Sequence, residues 1–160
     1  MKVYVLSRNM AVKYCKQTND KPVAIISIST PGVEYNESPF ISEENQVVEI
    51  LPLAFLDADC PETSDVYGTL AHREDLMSDE DAQKVVEFVE RHQDKPIIIH
   101  CDAGISRSSA IGAALLRNYN GSDDEIFHSR WFAPNMWCYY KLLKAFGYDY
   151  SGDGEIEVEL

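Results

Sequence analysis

A chain of 160 residues that is 45% hydrophobic and 26% charged, with few glycines and prolines, can bury a core of its own and is not disordered, collagenous or repetitive in composition. A formal charge of −13 argues against nucleic-acid binding, which needs a basic face, though not against a small local pocket of positive potential, and no apolar run is long enough to span a membrane. These totals predict a single domain over residues 1–160, with neither nucleic acid nor membrane as a partner; nothing in them fixes an oligomeric state.

In chain order, residues 2–6 (KVYVL) predict a short strand and 8–16 a helix. The N-terminus lacks an apolar run with a small-residue cleavage site, so a cytoplasmic location is expected. Basic residues gather in 1–23 and acidic ones in the final stretch from Asp149 to Glu159, which is expected to be a solvated terminus. The β-branched run 21–29 (KPVAIISIS) predicts a strand. Residues 30–45 hold Pro, Gly, Asn and Ser and predict a loop, and 46–55 a second extended run, at an edge or bent at Pro52. Residues 56–77, polar and rich in acids, predict a long functional loop. Ser78 followed by Asp79, Glu80 and Asp81 is a helix start, and Val85, Val86, Phe88 and Val89 give that helix its apolar stripe as far as Arg91. PIIIH (96–100) predicts a buried central strand, followed by a helix over 109–119 that closes at Gly121. Residues 122–131 predict a further helix, and Pro134 opens the last one, ending at Gly147. The pattern is α/β: a central, mostly parallel sheet flanked by helices.

The segment PIIIHCDAGISRSSAIGAALL carries the chemistry. A strand, a tight loop and a helix bring backbone N–H groups and the positive end of a helix to one point, which binds anions. Cys101 opens the loop, where that environment favours a nucleophilic sulfur. Gly104 lets the backbone turn closely, and Arg107 supplies a planar fork for two phosphate oxygens. Ser108 is placed to give a hydroxyl proton to the sulfur when it is expelled, and His100 to orient the loop by hydrogen bonds. The loop residues Asp102, Ala103, Gly104, Ile105 and Ser106, with Arg107, form the expected phosphate cradle, the Asp102 side chain pointing away from it. His-Cys-x-x-Gly-x-x-Arg arises by chance in roughly one chain in a thousand of this length, so this segment anchors the reading.

HCDAGISRS resembles the signature loop of the protein tyrosine phosphatases, and its wording resembles that of their dual-specificity branch. The likeness runs from about Val47 to Gly147, and SRNMA at 7–11 resembles a bacterial and phage group of predicted tyrosine phosphatases. The resemblance implies a cysteine-phosphatase fold, a cysteinyl-phosphate intermediate, no metal and no cofactor. It also implies an Asp upstream as general acid, and Asp57, at the end of the apolar run LPLAF, stands where that acid belongs. Asp59 is its rival and Asp65 a third candidate; the gap from Asp57 to Cys101 is longer than in compact dual-specificity enzymes. The family has an Asn near Asn135 that ties the last helices to the loop; a plain helix-start role is the alternative.

The expected activity is hydrolysis of phosphomonoesters, on phosphorylated protein or a small aryl phosphate, with phosphotyrosine first. Phosphatases for lipid, nucleotide or inositol phosphates, and a phosphate-binding pseudophosphatase, are the alternatives; a sulfurtransferase would usually hold a shorter loop. No Lys stands inside the loop, and members that favour inositides often carry one there. The four cysteines are widely spaced without a CxxC pair, so neither zinc nor a disulfide framework is expected, and Cys60 reads as an ordinary thiol or as one able to oxidise onto Cys101.

Overall fold

The computed structural model describes residues 1–17, 21–42, 45–64, 68 and 70–149. Four strands form its main sheet: β1 (Val3–Ser7), β2 (Val23–Ser29), β3 (Val47–Ala54) and β6 (Ile97–Cys101), in the order β1-β6-β2-β3 and all parallel. A parallel sheet is covered on both faces, which is why β2 and β6 read as unbroken apolar runs rather than alternating ones. Pro52, which lacks an amide hydrogen, sits on β3, the edge strand beyond β2.

One face is covered by α1 (Arg8–Cys15) together with a 3-10 turn at Ser38–Phe40, and Ala11, Cys15, Val23, Ile25, Phe40 and Ile98 form its core. That turn lies inside the segment expected as plain loop, and Phe40 is wholly buried through it. The opposite face carries α2 (Asp79–Arg91), α3 (Arg107–Asn120) and α5 (Met136–Ala145) over the larger core. The start of α2 is a reciprocal cap: Ser78 Oγ accepts from Asp81 N at 3.0 Å, and Ser78 N donates to Asp81 at 2.9 Å. Its stripe of Val85, Val86, Phe88 and Val89 is buried, each such side chain contributing about 1.5–3 kcal/mol. Helix α3 lies tight on β1 because its facing residue is Gly112; a Cβ there would stand 2.6 Å from Val5 Cγ2.

Three segments depart from the expectation. The long loop contains a short antiparallel pair, β4 (Thr63–Ser64) with β5 (Leu70–Ala71), and a 3-10 turn at Arg73–Asp75. Helix α3 begins at Arg107, two residues early, so the signature arginine sits in its first turn. In 122–131 only Asp124–Phe127 (α4) is helical. There Asp123 does not cap; its carboxylate accepts from the Tyr139 hydroxyl. Ser129 Oγ accepts from Trp131 N at 3.2 Å, a local turn that competes with a longer helix.

Candidate active site

The central strand β6 delivers Cys101 to the carboxyl edge of the sheet, and residues 102–106 then turn back into α3. Gly104 makes that turn possible: its φ is +72°, and a Cβ would lie 2.5 Å from Ser7 N and 2.6 Å from Leu6 C, both backbone atoms. The loop's carbonyls are tied to the scaffold. Asp102 O accepts from Arg8 N at 3.2 Å, Ile105 O from Ala133 N at 3.0 Å, and Ser106 O from Asn135 N at 3.0 Å. Ser109 Oγ adds a bond to Ile105 O at 2.6 Å. The amides of Asp102, Ala103, Ile105 and Ser106, by contrast, donate to no described acceptor. Carbonyls satisfied behind and amides left over in front make a nest for an anion at the start of a helix.

At its floor the Cys101 side chain is buried, with Ser108 Oγ 3.2 Å from its sulfur and Gly104 N donating to it at 3.3 Å. His100, also buried, has Nδ1 3.1 Å from Cys101 O and Nε2 2.6 Å from Ser27 Oγ, with its ring stacked on Phe40. A carbonyl can only accept, so Nδ1 carries the proton and Nε2 accepts from the serine hydroxyl. Desolvation lowers the pKa of His100 and keeps the ring neutral. It orients the loop without a mobile proton.

Arg107 is 5% exposed. Its Nη1 donates to Phe55 O at 2.9 Å and to Ser29 O at 3.4 Å, the carbonyls at the ends of β3 and β2. Nη2 donates to Asp102 Oδ2 at 3.0 Å, so the Asp102 carboxylate, itself largely exposed, engages the arginine. Arg107 Nε is buried and has no described partner.

Of the three candidate acids, Asp57 meets the loop: its Oδ1 accepts from Ser106 Oγ and from Asn135 Nδ2, each at 2.8 Å. Both bonds fall on one oxygen. Asp59 Oδ1 accepts from Met136 N at 3.0 Å, in the first turn of α5. Asp65 lies outside the described residues. Asn135 caps α5 by accepting from Cys138 N at 3.0 Å, while its amide holds Asp57 and, at 3.0 Å, Ala58 O. The buried Asn135 side chain thus caps α5 and bonds the Asp57 segment, while its backbone N–H holds Ser106 O.

No family model matches the chain, and no curated protein sequence does. Solved structures do. DUSP15 matches with a TM-score of 0.55 at 20% identity, over 91% of this chain and 83% of that one. Tk-PTP in its active form matches with a TM-score of 0.53 at 19% identity, over 90% of both chains. PTPMT1 in complex with PI(5)P matches with a TM-score of 0.51 at 18% identity, over 90% and 89%. The fold is that of the protein tyrosine phosphatases and dual-specificity phosphatases.

Within this phosphatase fold the other thiols are set apart from Cys101. Cys15 and Cys138 are buried, and burial pushes the Cys15 thiol up to about 11 and that of Cys138 well above the ordinary range, which leaves both unreactive near neutral pH. Cys60 is exposed and reduced. Among the described residues no cluster of His, Cys, Asp or Glu could hold a metal. Trp137 and Tyr139 belong to the core, Trp137 Nε1 donating to Met77 O at 2.9 Å, whereas Trp131 is exposed. Sequence reasoning missed Ser27 and Thr30. Ser27 gave a faint signal, a hydroxyl inside an apolar strand, which must find a buried partner; the sheet register supplies it by setting Ser27 opposite His100.

Proposed function

We propose that this chain is a cysteine-dependent phosphatase, acting as one catalytic domain, that hydrolyses phosphomonoesters through a cysteinyl-phosphate at Cys101. The observation that carries the reading is the Cys101 sulfur held between Gly104 N and Ser108 Oγ, at the floor of a loop whose amides and buried Arg107 Nε, without partners among the described residues, are donors suited to a phosphate. In the first step the Cys101 thiolate attacks phosphorus, the P–O bond to the leaving group breaks, and Asp57 gives that oxygen its proton. In the second a water attacks phosphorus and gives a proton to the now ionised Asp57, and the S–P bond breaks with the Ser108 hydroxyl donating a hydrogen bond to the departing sulfur. The loop amides and Arg107 stabilise the charge that builds on the equatorial oxygens in both steps. Asp57 is preferred to Asp59 because its carboxylate bonds to the loop itself, with one oxygen unengaged among the described residues, while Asp59 accepts from the first turn of α5.

The preferred substrates are aryl phosphates, phosphotyrosyl protein above all. The loop offers no lysine to a second phosphate, Asp102 adds a negative charge beside the nucleophile, and the chain carries −13 overall, which weighs most on polyphosphorylated ligands. Among the described residues no helix is long and apolar enough to cross a membrane; the reading places the enzyme in the cytoplasm, acting on soluble phosphoproteins. The test compares kcat/KM at matched ionic strength for para-nitrophenyl phosphate, phosphotyrosyl and phosphoseryl peptides, a phosphoinositide and phytate. The aryl substrates should lead. A higher value for the inositide or phytate overturns the preference, and no turnover of any of them overturns the enzyme.

A further inference from the structure

The guanidinium of Arg107 has five N–H bonds, and its described acceptors all fall on Nη1 and Nη2. Nη1 faces Phe55 O at 2.9 Å and Ser29 O at 3.4 Å, with Thr30 Oγ1 at 3.5 Å; Nη2 faces Asp102 Oδ2 at 3.0 Å. Thr30 Oγ1 also donates to Asp102 Oδ2 at 3.1 Å. The hydroxyl, the carboxylate and the Nη1–Nη2 edge therefore meet in a triangle. Nε, buried and without a described partner, lies on the other edge, together with the second hydrogen of Nη2. That remaining pair is the planar fork that takes two oxygens of one phosphate.

We propose that Asp102 and Thr30 form a clasp on the Nη1–Nη2 edge of Arg107, making them positioning residues that present its Nε–Nη2 edge to a bound oxyanion. The proposal rests on the phosphatase reading, but its measurement does not. Asp102 stands within the signature loop and Thr30 just past the end of β2, so the clasp joins the loop to the sheet at the arginine. Two opposed effects must be weighed. A carboxylate beside the arginine offsets part of its charge and could compete with phosphate for Nη2. Its side chain is 60% exposed and the arginine's 6%, so solvent screens the carboxylate's charge at the phosphate while the short hydrogen bond keeps its geometry. Competition would also require the carboxylate to sit on the edge that holds Nε; it sits instead on the edge shared with Thr30 and Nη1. Orientation therefore outweighs competition.

The experiment measures tungstate affinity by calorimetry, together with the rate of Cys101 alkylation by iodoacetamide and the melting temperature. Asp102→Ala should weaken tungstate binding about tenfold, the usual cost of a lost charge-assisted hydrogen bond. Asp102→Asn keeps an acceptor oxygen and should stay within about threefold of wild type, since an amide oxygen still accepts from Nη2. Thr30→Val should weaken binding and Thr30→Ser should restore it. Alkylation by the uncharged reagent and the melting temperature should hardly move, which separates positioning from general loosening of the loop. Unchanged or tighter tungstate binding by Asp102→Ala overturns the clasp, as does a parallel shift of alkylation and melting temperature. If wild type binds tungstate yet turns over no phosphate ester, the phosphatase reading fails and the clasp is still judged by the tungstate series; if wild type binds no tungstate, both fail.

Discussion

Replacing Cys101 by serine removes one atom's chemistry and little else. Serine's hydroxyl is not ionised at neutral pH, so turnover of para-nitrophenyl phosphate should fall to background while tungstate binding and the melting temperature persist; near-wild-type turnover would dismiss the covalent intermediate. The two neighbouring acids make a sharper pair. Asp57→Ala should lower kcat about 100-fold with little change in KM, the ordinary scale of a lost general acid, and the loss should shrink for leaving groups of low pKa. Asp59→Ala should instead cost about 1 kcal/mol of stability, the scale of a lost helix cap, because its carboxylate accepts from Met136 N. Steady-state kinetics and denaturant midpoints on both variants would reverse the assignment if the patterns came out exchanged. At this scale the loop that brings Cys101, Gly104 and Arg107 together was legible, because a phosphate cradle demands fixed residue types at fixed spacing. The choice between Asp57 and Asp59 was not, since two carboxylates two residues apart have the same local signals and differ only in what α5 brings to them.

Among the elements, α5 holds the carboxylate proposed as the acid. Asn135 caps it, bonds Asp57, and gives its own backbone N–H to Ser106 O. Asn135→Ala should therefore cost about 1 kcal/mol in stability for the cap alone and also lower kcat, the loss of rate being greatest for leaving groups of high pKa; a variant with lower stability and unchanged kcat would reduce Asn135 to a cap. The strands and α2 could be read from sequence because period and capping are local: an apolar run for β6, Ser78 and its acids for α2. The short extent of α4 could not: all of 122–131 reads as helix, and only the tertiary arrangement reveals that Tyr139 claims the Asp123 carboxylate. The β4–β5 pair is two residues on each side, too short for any alternation to show.

For the whole molecule, pH acts through the buried His100. Its folded pKa lies below the ordinary 6.5 because burial penalises the charged ring, so the unfolded chain binds the extra proton first. Its contribution is complete above about 6.5 and declines as pH falls from there towards the folded value. Exposed His72, raised by its hydrogen bond to Glu62, works in the opposite sense, its contribution present below 6.5 and lost as pH rises through its folded value. Histidine NMR across a pH titration should find His100 taking up its proton at lower pH than His72, with the neutral His100 ring protonated on Nδ1; a His100 that charges before His72, or a neutral ring protonated on Nε2, would refute the assigned hydrogen bonds. The strand order has a consequence of a different kind. Because β6 fills the slot between β1 and β2, these two strands cannot pair with each other, and the sheet closes only when residues 97–101 arrive from far along the chain. Such distant pairings close slowly, on the order of milliseconds to seconds. The strand that bears Cys101 is thus the keystone of the sheet. During synthesis Cys101 is an open thiol until that keystone drops in, so the interval in which stray oxidants or alkylating agents reach it unsheltered is set by the speed of folding.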